Sequence, residues 1–121
     1  MAGVLMDGQR VVAVEDSVFR ASVGPAVVRM SREHAGAREF HMRICSPPAC
    51  HRCHLGLDTS TKKELVAANM TIDQIRDKVM HCDSLEYLTV EELKQVIKDL
   101  GLNPDDFCLG CFTGEYPVDP P

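Results

Sequence analysis

Three consecutive segments near the start of the chain alternate between strand and helix patterns, and this order restricts the possible folds most strongly. Val11–Val14 form a continuous apolar run, typical of a strand buried on both faces of a parallel sheet. Residues 24–36 favour a helix, with Pro25 in its first turn and Gly36 at its end. Residues 39–44 then alternate apolar and polar side chains, as a strand does. The pattern predicts a right-handed βαβ unit and therefore an α/β fold.

The second half of the chain has a mainly helical pattern. A threonine followed three residues later by Glu or Gln, the spacing of a capping box, occurs at Thr61–Glu64, Thr71–Gln74 and Thr89–Glu92. The last of these helices places Leu93, Val96, Ile97 and Leu100 on one face and ends at Gly101. Residues 83–88 favour a short strand, and the chain is expected to be irregular from Asn103 onward. We therefore expect a sheet-forming segment, residues 1–45, followed by a helical, cysteine-bearing segment, residues 46–121.

Length and charge exclude several functional classes. A chain of 121 residues is one domain or a piece of one. Its net charge of −5 gives no support for nucleic-acid binding, which usually needs a basic face. The first residues do not resemble a signal peptide, and no apolar run approaches the length of a membrane span. We expect a cytoplasmic protein without a membrane partner.

Six cysteines in a reducing compartment are expected to be ligands or core residues, because disulfides are rare there. Two C-x-x-C pairs, Cys50 with Cys53 and Cys108 with Cys111, have the spacing of a tetrahedral zinc site. A rival set has the plant-type ferredoxin spacing and consists of Cys45, Cys50, Cys53 and Cys82. Alternatively, Cys45 and Cys82 are small buried residues. His51 and His54 flank Cys53 and are candidate ligands of a mixed site or polar loop residues.

An acidic pair follows the first predicted strand. Glu15 and Asp16 come where that strand ends, and a helix begins a few residues later. In open α/β sheets, ligands bind beyond the carboxyl ends of the strands. Two carboxylates there can hold Mg²⁺ or accept hydrogen bonds from ribose hydroxyls, and a helix N-terminus attracts phosphate. The alternative is a solvated turn.

The residues of this loop resemble a known motif. In "VVAVEDSVFRASVGPAVVRM", a hydrophobic strand, Val11–Val14, precedes the acidic pair and is followed by Ser17 and Arg20. The order is similar to the phosphoribosyl pyrophosphate loop of the amidophosphoribosyltransferase family (glutamine phosphoribosylpyrophosphate amidotransferases). That family has Asp-Asp at the acidic pair and Gly-Thr-Thr after the arginine. This chain instead has Glu15-Asp16 and, after Arg20, the residues Ala21, Ser22 and Val23.

The resemblance extends over almost the whole chain. Residues 46–48 match the family's Ser-Pro-Pro signature, and residues 56–59 match its Gly-hydrophobic-Asp-Thr signature. The stretches "DSLEYLTVEEL" and "FCLGCFTGEYP" resemble its closing segments. Several motifs in the family's order identify the chain as the C-terminal portion of such a protein, with a partial type I phosphoribosyltransferase fold.

The resemblance implies an activity and a substrate-binding loop. The family transfers ammonia derived from glutamine to phosphoribosyl pyrophosphate, which yields phosphoribosylamine in the first committed step of purine synthesis. Its members form homo-oligomers. The resemblance implies that Mg²⁺ binds at Glu15 and Asp16. The implied substrate-binding residues are Glu15, Asp16, Ser17, Arg20, Ala21, Ser22 and Val23.

The resemblance also implies a cofactor. Some members carry a [4Fe–4S] cluster, and the corresponding ligands in this chain are Cys53, Cys108 and Cys111. The family's fourth cysteine lies upstream of the matched portion. The sequence contains no counterpart of the family's glutaminase nucleophile, so we expect this chain alone to lack amidotransferase activity. The alternative function is a non-catalytic module that binds zinc or an iron–sulfur cluster.

Overall fold

Three parallel strands form the sheet at the centre of the computed structural model, which describes residues 6–20, 22–56 and 62–119. β1 spans Arg10–Glu15, β2 spans Glu39–Ile44 and β3 spans Ser84–Tyr87. The strand order is β1-β2-β3, so β2 is central. The predicted α/β fold is confirmed, and the short strand predicted at residues 83–88 joins the same sheet as its third member.

The predicted crossover helix is present but shorter than the sequence indicates. α1 spans Gly24–Glu33 and has Pro25 in its first turn. The chain leaves the helix at His34, and Gly36 adopts a left-handed φ of 70° in the turn that leads to β2. A Cβ at Gly36 would also collide with Asp7, so this position requires glycine.

Short helical elements form most of the rest of the chain. α2 is Val66–Asn69, α3 is Ile72–Gln74, α4 is Val90–Asp99 and α5 is Gly110–Thr113. α3 continues directly into a π-helix, Ile75–Met80, and single turns of 3₁₀ helix occur at Lys62–Glu64 and Pro104–Asp106. The capping boxes at Thr71 and Thr89 are confirmed, with both reciprocal hydrogen bonds. Thr61 lies outside the described residues.

The hydrophobic core lies on one face of the sheet. The alternating strand β2 points Phe40, Met42 and Ile44 into it, as its pattern predicts. Side chains from both halves of the chain cover them, namely Val28 of α1, Ile75 and Met80 of the π-helix, Cys82 and Leu85. The core therefore contains residues from both sides of residue 45. The division of the chain into residues 1–45 and 46–121 stays a prediction.

The expectation that β1 is buried on both faces is wrong. Val12 and Val14 are 59% and 67% exposed, because the outer face of β1 is open in the described part of the chain. On the neighbouring strand this face is polar. His41 Nδ1 lies 2.8 Å from Ser84 Oγ, and the same hydroxyl accepts from Arg43 at 2.9 Å.

The apolar stripe of α4 is also less buried than its pattern suggests. Only Ile97 of this helix is buried, whereas Val96 and Leu100 are exposed, Leu100 by 71%. The tail is more ordered than expected, since it contains the turn Pro104–Asp106 and helix α5. Among the described residues, no helix combines the length and apolar character needed to cross a bilayer.

Candidate functional site

The acidic loop lies at the carboxyl edge of the sheet, as the sequence predicts. Glu15 is the last residue of β1, and its carbonyl accepts a hydrogen bond from the Cys45 N–H at 2.8 Å. Asp16 is exposed, and its Oδ1 accepts from the Ser17 hydroxyl at 3.0 Å. The loop thus presents two neighbouring carboxylates beside a hydroxyl that is already oriented toward one of them.

A cavity of about 310 Å³ separates this loop from the start of α1. Its lining includes the buried apolar residues Val18 and Met42. The remaining lining residues are Glu15, Ser17, Phe19, Arg20, Ser22, Val23 and Gly24. Of the seven predicted substrate-binding residues, five line the cavity. Asp16 lies in the loop outside the cavity wall, and Ala21 lies outside the described residues.

The helix end beside the cavity offers fewer N–H donors than a generic helix N-terminus. Val23 occupies the cap position without a side-chain hydrogen bond, and Pro25 has no N–H. The N–H groups of Ala26 and Val27 already donate to the Val23 carbonyl at 3.0 and 3.1 Å. Any phosphate held here must therefore rely on the loop residues that precede Pro25.

Gly24 allows α1 to pack closely beside the cavity. A Cβ at this position would lie 2.5 Å from the Met80 sulfur, so a larger residue would require the end of the Met80 side chain to move or α1 to shift.

The loop contacts Glu64 and the first residue of α2. Arg20 Nε lies 3.4 Å from Glu64 Oε2, and the Val66 N–H donates to the Phe19 carbonyl at 3.0 Å. Sequence reasoning missed Glu64, because it treated this residue only as the end of a capping box. No local pattern signals a contact between residues so distant in sequence.

The two cysteine-bearing segments meet in the structure. The backbone N–H groups of Cys50 and His51 both donate to the Cys111 carbonyl at 3.0 Å. The Tyr116 hydroxyl donates to the Arg52 carbonyl. We refer to these contacts between residues 50–54 and 110–116 as the cysteine clasp. In each of these three hydrogen bonds a backbone carbonyl is the acceptor, and no thiol takes part in them.

Both histidines of the clasp pack against residues 110–116. The His51 ring lies against Gly114, where a Cβ would come within 3.0 Å of the ring. The His54 ring meets the Tyr116 ring edge-to-face, with centroids 5.1 Å apart. The interpretation of these histidines as loop residues fits their contacts, and Tyr116 is a further clasp residue that the sequence did not single out.

Of the three thiols implied as cluster ligands, Cys111 is affected electrostatically by the other two. Burial raises the pKa of the Cys111 thiol, and nearby Cys53 and Cys108 raise it further. Burial also raises the pKa of Tyr116, and the same three cysteines add to this effect. The donor chemistry suits an iron–sulfur cluster. Within residues 6–20, 22–56 and 62–119, however, no three His, Cys, Asp or Glu side chains are gathered closely enough to hold a metal ion.

The other three cysteines lie in different surroundings. The Cys50 thiol donates to the Ala67 carbonyl at 3.4 Å, and together with Cys82 it raises the pKa of Tyr87, whose burial is the main cause of a value of about 12. Cys82 is buried as expected, but Cys45 is exposed, so its prediction as a core residue is wrong. The set with ferredoxin-like spacing thus includes one buried thiol, Cys82, and one exposed thiol, Cys45, so its members do not share one environment. All six cysteines are free thiols.

Comparison with known proteins gives consistent matches. No protein-family model matches the chain. It is 47% identical over 116 residues to amidophosphoribosyltransferase 2, chloroplastic, of Arabidopsis thaliana, covering 96% of this chain and 20% of that protein. It is 43% identical over 119 residues to the amidophosphoribosyltransferase of Bacillus subtilis, covering 95% of this chain and 24% of that protein. The chain thus spans about a fifth to a quarter of the length of these relatives.

Solved structures agree with the sequence matches. The glutamine phosphoribosylpyrophosphate amidotransferase of B. subtilis, complexed with ADP and GMP, superposes with a TM-score of 0.85 at 41% identity. The match covers 97% of this chain and 26% of that one. A structure described as the allosteric regulatory enzyme of purine biosynthesis gives the same TM-score at 42% identity. The coverage is consistent with the C-terminal portion that the sequence motifs predict.

Proposed function

This chain belongs to the amidophosphoribosyltransferase family, as a portion of its members' length, and we propose that it carries the phosphoribosyl pyrophosphate-binding loop of such an enzyme. In the proposed reaction, ammonia released from glutamine attacks the first carbon of the ribose. Pyrophosphate leaves that carbon with the bonding electrons, a proton passes to solvent, and phosphoribosylamine forms. The observation that supports this role is the acidic loop at the end of β1, beside the cavity that leads to α1.

Each part of the loop has a chemical task in this proposal. The carboxylates of Glu15 and Asp16 accept hydrogen bonds from the ribose hydroxyls or hold Mg²⁺, whose preferred ligands are oxygen atoms. The magnesium ion, when bound, neutralises charge on the departing pyrophosphate. The hydroxyl of Ser22, with the backbone N–H groups of Ser22 and Val23, supplies hydrogen bonds to the 5′-phosphate, while the Ser17 hydroxyl orients the Asp16 carboxylate.

Calorimetric titration of the chain with phosphoribosyl pyrophosphate and Mg²⁺ tests the proposal. We expect saturable binding that Asp16→Asn weakens, because the substitution removes a charge next to the ribose. Glu91→Gln, at an exposed glutamate in the first turn of α4, is the matched control and should bind like the wild type. Absence of binding to the wild-type chain would contradict the proposal.

The departures from the family loop predict a weaker phosphate site. Relative to the family motif, Ala21 and Val23 replace a glycine and a threonine, which removes a hydroxyl donor, and Glu15 is one methylene longer than aspartate. A hydrogen bond to a charged group is worth about 1.5–3 kcal/mol, or roughly tenfold or more in affinity. The variant Glu15→Asp/Ala21→Gly/Val23→Thr should therefore bind about tenfold more tightly than the wild type. Equal affinities would refute this account of the loop.

We expect that the chain on its own does not catalyse the complete reaction. It spans about a quarter or less of its relatives, and its sequence contains no counterpart of the glutaminase nucleophile. Purified chain supplied with glutamine and phosphoribosyl pyrophosphate should form no phosphoribosylamine. Product formation above that of a heat-denatured control would overturn this expectation.

We also propose Cys53, Cys108 and Cys111 as ligands of an iron–sulfur cluster that, when bound, ties the clasp together. The effect of Cys53 and Cys108 on the pKa of Cys111, together with the hydrogen bonds that join the two cysteine-bearing segments, supports the assignment, and a fourth ligand is needed from outside this set. Anaerobic reconstitution with iron and sulfide should give the chain only weak thiolate-to-iron absorption, which Cys108→Ser abolishes. Cys45→Ser, at an exposed thiol outside the set, is the control. Equal absorption in both variants would argue against these ligands.

The second candidate function is a non-catalytic metal-binding or interaction module. The observation that favours it is the clasp, which brings the two C-x-x-C segments together within this chain alone. Stoichiometric zinc in colourless purified protein, without binding of phosphoribosyl pyrophosphate, would support it. A cytoplasmic location and homo-oligomerisation, both expected from the sequence, remain proposals. Cell fractionation tests the first, since the plant relatives carry chloroplastic names, and sedimentation velocity tests the second.

A further inference from the structure

We propose that Glu64 is a positioning residue for the acidic loop and that Arg20 holds the loop in place through it, instead of binding the substrate's phosphate directly. The inference rests on the proposed function, because it refines how the loop would act on phosphoribosyl pyrophosphate. It concerns two residues that are far apart in sequence and meet beside the cavity.

The first observation is the ion pair itself. Arg20 Nε lies 3.4 Å from Glu64 Oε2, with the two side chains 44% and 46% exposed. Arg20 lines the cavity, whereas Glu64 does not. A guanidinium that already faces a carboxylate must give up that contact, at least in part, before it can pair with a phosphate. The geometry therefore favours a role for Arg20 in fixing the loop.

The second observation is an independent backbone contact one residue away. The Val66 N–H donates to the Phe19 carbonyl at 3.0 Å. Val66 begins α2 directly after Leu65, whose side chain is fully buried. The loop is thus attached at two successive residues to a segment that is anchored in the interior of the protein.

The two contacts together form a tether that sets the position of the loop relative to the cavity. Phe19 and Arg20 lie midway between Glu15, at the end of β1, and Gly24, at the start of α1. Fixing the middle of a loop whose ends are already held by a strand and a helix reduces the conformations available to Ser17 and Ser22. A loop ordered in advance binds its ligand with a smaller entropic cost.

Whether Glu64→Gln weakens or strengthens the binding of phosphoribosyl pyrophosphate decides if Arg20 positions the loop or binds phosphate directly. If Arg20 positions the loop, calorimetry with phosphoribosyl pyrophosphate and Mg²⁺ should show about two- to fivefold weaker binding, the range of an exposed ion pair. If Arg20 binds phosphate directly, loss of its competing carboxylate should leave the affinity unchanged or increase it, which would overturn the proposal. Glu91→Gln is again the control for loss of one negative charge.

A double-mutant cycle adds a second test. Arg20→Gln should weaken binding about as much as Glu64→Gln, and the double variant should lose no more than either single one. Arg20→Glu combined with Glu64→Arg should recover most of the wild-type affinity. A loss at Arg20→Gln that far exceeds the loss at Glu64→Gln, with additive effects in the double variant, would identify Arg20 as a direct ligand.

Measurements without ligand separate this inference from the proposed function. In the NMR spectrum of the free chain, Glu64→Gln should shift the backbone amide signals of residues 17–22, while Glu91→Gln should not. Unchanged loop signals in Glu64→Gln would refute the tether. If the wild-type chain binds no phosphoribosyl pyrophosphate, the proposed function fails, and the amide signals still test the tether.

Discussion

At the scale of single residues, Asp83 shows how one carboxylate joins three parts of the fold. Its Oδ2 accepts from the Phe40 N–H of β2 and from the Arg32 guanidinium of α1, each at 2.6 Å. Asp83 itself lies just before β3. The backbone hydrogen bond is the main cause, and Arg32 a further cause, of a pKa for Asp83 below its usual range. Both partners favour the ionised form, so the junction depends on pH.

Asp83→Ala should destabilise the protein by about 1–3 kcal/mol at pH 7, because it leaves the Phe40 N–H without its acceptor. The folded pKa of Asp83 lies below the unfolded one, so its contribution is present above about pH 4 and is lost as the pH falls through the folded pKa. Urea unfolding at pH 7 and pH 3 should therefore show a smaller difference between variant and wild type at the lower pH. Asp83→Asn retains an acceptor oxygen and serves as control. A difference that does not change with pH would contradict the assignment.

Burial and pKa also predict an order of thiol reactivity. Cys45 and Cys108 are exposed, whereas burial raises the pKa of both Cys82 and Cys111. Because the thiolate is the reactive form, the two exposed thiols should be alkylated first, Cys111 more slowly, and Cys82 only when the protein opens. Peptide mass spectrometry after timed iodoacetamide labelling measures the order. Rapid labelling of Cys82 in folded protein would show that its surroundings are not those described.

At the scale of elements, capping explains where two of the helices begin. Thr89 accepts from the Glu92 N–H at 3.1 Å, and Glu92 accepts from the Thr89 N–H at 2.8 Å. Thr71 and Gln74 form the same reciprocal pair at the start of α3. Each box provides acceptors for two backbone N–H groups that would otherwise have no partner within the helix. α4 depends on its box more strongly, because only Ile97 anchors it in the interior, whereas α3 continues into the π-helix, which buries Ile75 and Met80.

Thr89→Ala should reduce the free energy of unfolding by about 1 kcal/mol, the usual cost of removing an N-cap side chain. Thr89→Ser keeps the hydroxyl and should retain most of the stability. Thermal unfolding followed by circular dichroism compares the two variants with the wild type. Equal losses in both variants would mean that the methyl group of Thr89, not its hydroxyl, is the stabilising part.

At the scale of the whole molecule, the sheet is covered on one side only in the described part of the chain. Its inner face packs against α1 and the π-helix, which bury Phe40 and Met42 of β2. On its outer face Val12 and Val14 are exposed beside the polar side chains of β2. Parallel sheets are normally covered on both faces, so the stability of this chain depends unequally on the two sides.

Substitutions on the two faces should therefore differ greatly in cost. Ile75→Ala opens a cavity in the core and should destabilise the protein by about 2–5 kcal/mol. Val14→Thr keeps the β-branched shape on the open face and should change the free energy of unfolding by less than about 0.5 kcal/mol. Urea unfolding of both variants measures the contrast. A large loss for Val14→Thr would show that the outer face is covered in solution.

The features that the sequence determined by itself are those encoded in short spacings. The βαβ order, the capping boxes at Thr71 and Thr89, and the inward side of β2 all follow from residues within one or two turns or pleats of each other. The acidic loop was predictable for the same reason, since it ends a strand and precedes a helix. Local hydrogen bonds and side-chain periodicity are sufficient to specify such features.

The tertiary structure alone decided which apolar positions are covered and which distant residues meet. An apolar run has the same pattern whether its strand is covered on one face or on both, so the exposure of Val12 and Val14 depended on which face of the sheet the rest of the chain covers. The pairing of Arg20 with Glu64, and the packing of Tyr116 on His54, join segments far apart in the chain. Contacts of this kind depend on how the whole chain folds back on itself, and no spacing in the sequence records them.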